Sequence, residues 1–125
     1  NVGSYMVSGR PWVRAYSSIS SGTQTKVEWP KVTKTITVIN MADVAIRIFF
    51  ADPDTGNANS SSGNGPHYIE LDTDEDSFTM NIRVKELWIL STDNSSAFTV
   101  YAELTNIEPD LMYSYDETGI AGITD

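Results

Sequence analysis

The 125-residue sequence predicts an all-β domain, a single antiparallel β-sandwich of the jelly-roll kind with an N-terminal arm and a C-terminal tail. Three observations predict it. Apolar residues recur with a period of two along most of the chain, in runs rich in β-branched and aromatic residues. Clusters of Gly, Pro, Asn, Asp and Ser separate these runs at short intervals, as turns do in sandwiches. The length suits one domain of ~100–150 residues, and with no cysteine the core must be held by burial rather than by disulfides. There is no internal repeat and no sign of a second domain. Residues 1–125 read as one unit, with 1–10 as an arm, 52–66 as a long loop and 109–125 as a tail.

The strands follow in order. Residues 12–17 alternate weakly and form an early strand. In 23–29, Val27 and Trp29 share one face while Lys26 and Glu28 share the other; Pro30 ends the run because it has no N–H to donate. Residues 33–41 place Ile36 and Val38 on one side, with Thr35, Thr37 and Ile39 on the other. Residues 44–51 follow after a short polar turn at Asp43, so the two runs read as a hairpin. Both faces of the second run are apolar, which suits a strand inside a sheet. Residues 52–66 carry no apolar anchor and read as a surface loop.

Residues 68–71 make a short strand, and the acidic residues 72–76 turn the chain. The run 77–92 is the longest. Phe78, Met80, Ile82 and Val84 lie opposite Thr79, Asn81, Arg83 and Lys85, and near Glu86 both faces become apolar, which predicts a bulge or bend. Residues 93–95 turn. In 98–105, Phe98, Val100, Ala102 and Leu104 face inward while Thr99, Tyr101 and Glu103 face outward. The total is about seven strands. The tail holds Leu111, Met112, Tyr113 and Tyr115 among Gly and acidic residues, and must lie on the sandwich or reach a neighbour.

Seventeen acidic against eight basic residues leave a net charge of -9. Phosphate backbones and anionic membrane surfaces repel such a chain, so neither nucleic acid nor membrane is expected as a partner. No apolar run is long enough to span a bilayer, and residues 1–10 lack the charged start and apolar core of a secretory signal.

Most catalytic chemistries lack their residues. The single histidine, His67, provides neither a triad base with an orienting carboxylate nor a zinc ligand set, and there is no phosphate-cradling Gly-rich motif. Glycoside hydrolysis needs only two carboxylates, and Glu86 and Glu103, set within apolar runs, are the candidates. No cofactor is expected, with calcium as the one metal candidate. Asp72, Asp74 and Asp76 place carboxylates at alternate positions, although Ser77 and Arg83 stand where an EF-hand has its Gly and its terminal Glu. Asp52, Asp54, Asn57 and Asn59 form a second oxygen-rich loop. Trp12, Trp29 and Trp88 offer the aromatic faces of a carbohydrate-binding, lectin-like module if two are exposed and coplanar. That module, with or without calcium, is the alternative function.

The stretch from Asp76 through Lys85-Glu86-Leu87-Trp88 to Leu90, followed by Ala97 to Thr105, resembles the C-terminal strand pair of small β-sandwich decoration proteins on tailed-phage heads. The resemblance spans 68–109, about a third of the chain. It implies a non-enzymatic cement protein on the capsid surface of a virion, a homotrimer that clamps neighbouring major capsid protein subunits. Its termini would make the contacts, with Trp12, Leu111, Met112, Tyr113 and Tyr115 as the expected interface residues.

Overall fold

The computed structural model describes residues 10–20, 22–52, 68–112, 114, 115 and 123. Eight strands lie among them: β1 (Arg10–Ile19), β2 (Gln24–Glu28), β3 (Thr33–Asn40), β4 (Ile46–Phe49), β5 (Ile69–Leu71), β6 (Ser77–Met80), β7 (Glu86–Ser91) and β8 (Ser96–Leu104). They form two antiparallel four-stranded sheets, ordered β1-β8-β3-β6 and β2-β7-β4-β5. Strand one pairs with eight, two with seven, three with six and four with five. The chain is thus one long ribbon folded back at β4 and β5, then wrapped so that alternate segments enter opposite sheets. That is the jelly roll, and the predicted fold class holds.

The period-two pattern decides which way each side chain points. Ile36 and Val38 of β3, Leu87 and Ile89 of β7, and Phe98, Val100, Ala102 and Leu104 of β8 meet in one core between the sheets. Trp12, Tyr16 and Ile19 of β1 pack against it. Tyr16 and Ile19 are three apart yet point the same way, because a bulge at residues 17–18, with Ser18 in left-handed backbone (φ 58°), inserts the extra residue.

Two expectations are corrected. The runs 33–41 and 44–51 are not a hairpin: β3 pairs with β8 and β6, whereas β4 pairs with β7 and β5. The run 77–92 is not one strand. It is β6 at the edge of one sheet and β7 inside the other, and the bend falls at 81–85, before Glu86.

Buried polar groups at the two ends of β3 explain both. At one end, Asn40 is fully buried. Its Nδ2 donates to the carbonyls of Val44 (2.8 Å) and Leu71 (2.9 Å), and its Oδ1 accepts the Ala42 N–H at 3.1 Å. The connection 41–45 is thereby drawn across the sandwich instead of reversing in plane. At the other end, buried Thr33 donates to the Ile82 carbonyl (2.8 Å) and accepts the Val84 N–H (3.0 Å), which holds the 81–85 crossing.

Asn40→Ala removes a side-chain donor from the buried Leu71 carbonyl and from the part-buried Val44 carbonyl. It lowers the free energy of unfolding in urea by about 2–4 kcal/mol, whereas Thr79→Ala on an exposed position costs under about 0.5 kcal/mol. Equal effects of the two changes would show that Asn40 does not hold the crossing.

Candidate functional site

The two outer faces of the sandwich differ in kind. Outward positions of the β1-β8-β3-β6 sheet line up in rows set by the strand register. The central row is Val13, Tyr101, Thr37 and Thr79. On one side lie Ala15, Thr99, Ile39 and Ser77, and on the other Pro11, Glu103 and Thr35. Glu103 is the one carboxylate among these residues, and none of them is basic. Hydroxyls are tied laterally: Thr37 Oγ1 and Thr79 Oγ1 are 3.0 Å apart, and Thr35 donates to Asn81 Oδ1 at 3.2 Å. Val13 (68% exposed) and Tyr101 (43%) are register partners and stand open to water side by side. A broad face with a single carboxylate on a chain of charge -9 is a place for protein contact, since interface centres are poor in charge and rich in aromatics.

The outer face of the β2-β7-β4-β5 sheet is charged and partly covered. Lys26 lies 3.8 Å from Glu28 and 3.6 Å from Glu86, and Arg47 pairs with Glu70 at 3.0 Å. Beneath these ions a second apolar cluster of Phe49, Ala51 and Trp88 is buried, with Tyr68, Leu90 and Ile123 packed against it. Lys26 sits over the Trp88 ring and Arg47 over that of Tyr68, at 5.3 and 4.5 Å from the ring centres. The tail supplies part of this cover. Ile123 joins the cluster, Ser114 donates to Glu86 Oε2 at 2.6 Å, and Tyr115 packs on the main core.

Charge is also uneven along the strands. The connections 41–45, 72–76 and 92–95 lie at one end and carry Asp43, Asp72, Asp74, Glu75, Asp76 and Asp93 without a basic residue. Arg10, Lys31, Lys34, Arg83 and Lys85, five of the eight basic residues, lie towards the opposite end, where Lys31 pairs with Glu108.

The interface residues expected from sequence are scattered. Trp12 turns inward and meets the Trp29 ring edge-on, at 5.8 Å and 75°. Leu111 is 79% exposed beside the short helical turn Pro109–Leu111, Met112 is half-buried, and Tyr115 lies against the core. Tyr113 falls outside the described residues, as do residues 1–9 of the arm, 53–66 of the loop, and His67. Val13 and Tyr101 were missed as a pair, because their adjacency depends on β1 lying beside β8.

The other candidates do not assemble. Glu86 points outward from one sheet and Glu103 from the other, so the two carboxylates stand on opposite faces and cannot flank one glycosidic bond. Asp76 Oδ2 accepts the backbone N–H groups of Asp72 and Thr73, both at 3.1 Å, and so closes its own turn. No group of three or more His, Cys, Asp or Glu converges to hold a metal among the described residues, Asp72 and Asp74 included. The second oxygen-rich loop lies beyond them from residue 53 onward. Trp29 and Trp88 are buried, so the three tryptophans present no coplanar platform. Of the tyrosines, Tyr16 has its phenol pushed above its ordinary value of 10.0 by burial, with the Arg14 guanidinium pulling the other way. It stacks on Phe98 at 4.8 Å.

Shortening Ile123 to Ala removes apolar cover from Trp88 and Phe49. Tryptophan emission shifts to the red, and stability falls by about 1–2 kcal/mol for this half-buried side chain. Unchanged emission and stability would mean that the tail does not cover the cluster.

No family model matches the chain, and no curated protein matches it. Among solved structures, the chain is similar to PirA, with 13% identity over 73% of this chain and 93% of that one and a TM-score of 0.47. It is also similar to a structure of Bacillus endospore appendages, a family of disulfide-linked pili, with 15% identity over 77% of this chain and 87% of that one and a TM-score of 0.38. This chain has no cysteine with which to form such links. Likenesses this distant assign it neither a function nor a partner. The β7–β8 segment that resembles phage decoration proteins is not a paired hairpin here, because the two strands belong to different sheets.

Proposed function

We propose that this chain is a non-enzymatic structural protein that decorates the outer surface of a virion capsid and bridges neighbouring coat subunits. The observation that carries the reading is a jelly roll with one broad face that has a single carboxylate, Glu103, in its rows and that no described residue covers. Jelly rolls serve chiefly as shell components and as sugar-binding domains. The face here suits the first use better, because Trp29 and Trp88 are turned away from solvent and unavailable for stacking on a sugar ring. A fold alone does not specify function, so the surface bears the weight. Tyr101 and Val13 give the face an apolar centre, hydroxyls surround it, and Glu103 is the one carboxylate in its rows.

The charge distribution fits dense display on a shell. A net charge of -9 keeps closely spaced copies from non-specific clumping, while the open face lets a specific contact form at the cost of desolvating few ions, Glu103 being the one carboxylate in its rows.

Gold-coupled antibody raised against the chain labels the heads of intact, gradient-purified particles from the cells that make it. The chain also bands with those particles. Labelling confined to tails or broken particles, or absence of the chain from the particle band, contradicts the reading.

A further inference from the structure

We infer that the outer face of the β1-β8-β3-β6 sheet is a self-association surface, on which a second copy of this chain packs face to face with its strands running the opposite way. The inference rests on the same open face as the capsid reading, but its test reads only self-association in solution, whereas the particle-labelling experiment reads attachment to a virion.

Charge selects both the face and the occupant. Two chains of charge -9 repel wherever their carboxylates meet, and the outward rows of this sheet hold Glu103 as their one carboxylate. The opposite outer face carries Lys26, Glu28, Arg47 and Glu70, and is already partly covered by Ile123. The β1-β8-β3-β6 face, with its single carboxylate, is therefore where two copies approach with least electrostatic cost.

Charge also sets the orientation. With strands parallel, the acidic ends carrying Asp43, Asp72 to Asp76 and Asp93 would stack on each other, and Glu103 would lie near its own copy. With strands opposed, the two-fold axis runs along the central row. Each acidic end then lies over the end that carries Arg10 and Arg83, and Glu103 faces the row of Ala15, Thr99 and Ile39. Val13 faces Val13 of the second copy and Tyr101 faces Tyr101. Such an isologous contact closes at two copies.

The size of the face sets the strength. Four strands ~4.8 Å apart and three rows ~7 Å apart cover roughly 400 Å². A stable complex buries about 800 Å² on each partner. The pairing is therefore weak in dilute solution and fills at high local concentration, such as that of copies crowded on one support.

Sedimentation equilibrium of the full chain at up to about 1 mM tests this. The expected result is a monomer–dimer equilibrium whose dissociation constant rises at least tenfold in both Val13→Glu and Tyr101→Glu. Both side chains are exposed, so circular dichroism should stay unchanged. Because the chain has no cysteine, Val13→Cys creates a unique thiol. A bismaleimide spanning about 10 Å, the spacing of packed sheets, should join two Val13→Cys copies but not two Gln24→Cys copies, whose thiols lie on the other sheet. A monomer throughout the range overturns the inference. So does an oligomer untouched by both glutamate variants, or cross-linking as efficient from position 24 as from position 13.

Discussion

The hydrogen bonds at the two ends of β3 are the constraint on which the rest of this fold depends. A strand followed by a short polar connection ordinarily turns back beside itself. Here Asn40 binds the carbonyls of Val44 and Leu71 from a fully buried position, and Thr33 does the same for the 81–85 segment at the other end. A buried amide that loses such partners costs more than the bonds themselves contribute when made. Both connections are therefore held across the sandwich, and consecutive strands enter opposite sheets. The pairing of one with eight, two with seven, three with six and four with five follows from those crossings.

That wrapping produces the asymmetry between the two outer faces. It places β8 between β1 and β3, so outward residues of three strands distant in sequence share one surface with those of β6. Each strand contributes only two or three outward residues, mostly apolar or hydroxylated, and together they make a continuous surface whose one carboxylate is Glu103. On the other sheet the same wrapping leaves Phe49 and Trp88 pointing outward, where apolar groups of that size need cover. The tail supplies part of it through Ile123. One face is thus partly covered by Ile123, no described residue covers the other, and the carboxylates of 41–45, 72–76 and 92–95 collect at one end.

Much of the fold was legible in the sequence. The inward and outward sets of β3 and β8, the burial of Val27 and Trp29, and the interior place of β4 all follow from alternation and apolar content. Sheet membership was not legible, because alternation says which way Ile36 points but not which strand lies beside it. The buried Asn40 gave no such signal: an Asn before a turn reads as ordinary turn chemistry, and only the structure puts it within reach of Leu71. The open face escaped for the same reason. Thr37, Thr79 and Tyr101 each look like routine solvent-facing positions, and their meaning comes from adjacency. Conversely, aromatic content drew attention to Trp12, whose ring is turned onto Trp29. The carboxylate spacing of Asp72, Asp74 and Asp76 was real but local, and Asp76 is used by its own turn.

The central claim is that the charge-poor outer face of the β1-β8-β3-β6 sheet is where this chain meets other protein. It is tested most directly by amide chemical shifts followed by nuclear magnetic resonance from dilute to concentrated protein. The account predicts shifts that move together with concentration and map to Val13, Thr37, Thr79, Thr99 and Tyr101, with the β2-β7-β4-β5 sheet unmoved. Shifts confined to that second sheet or to the acidic connections, or a spectrum that does not change with concentration, would contradict it.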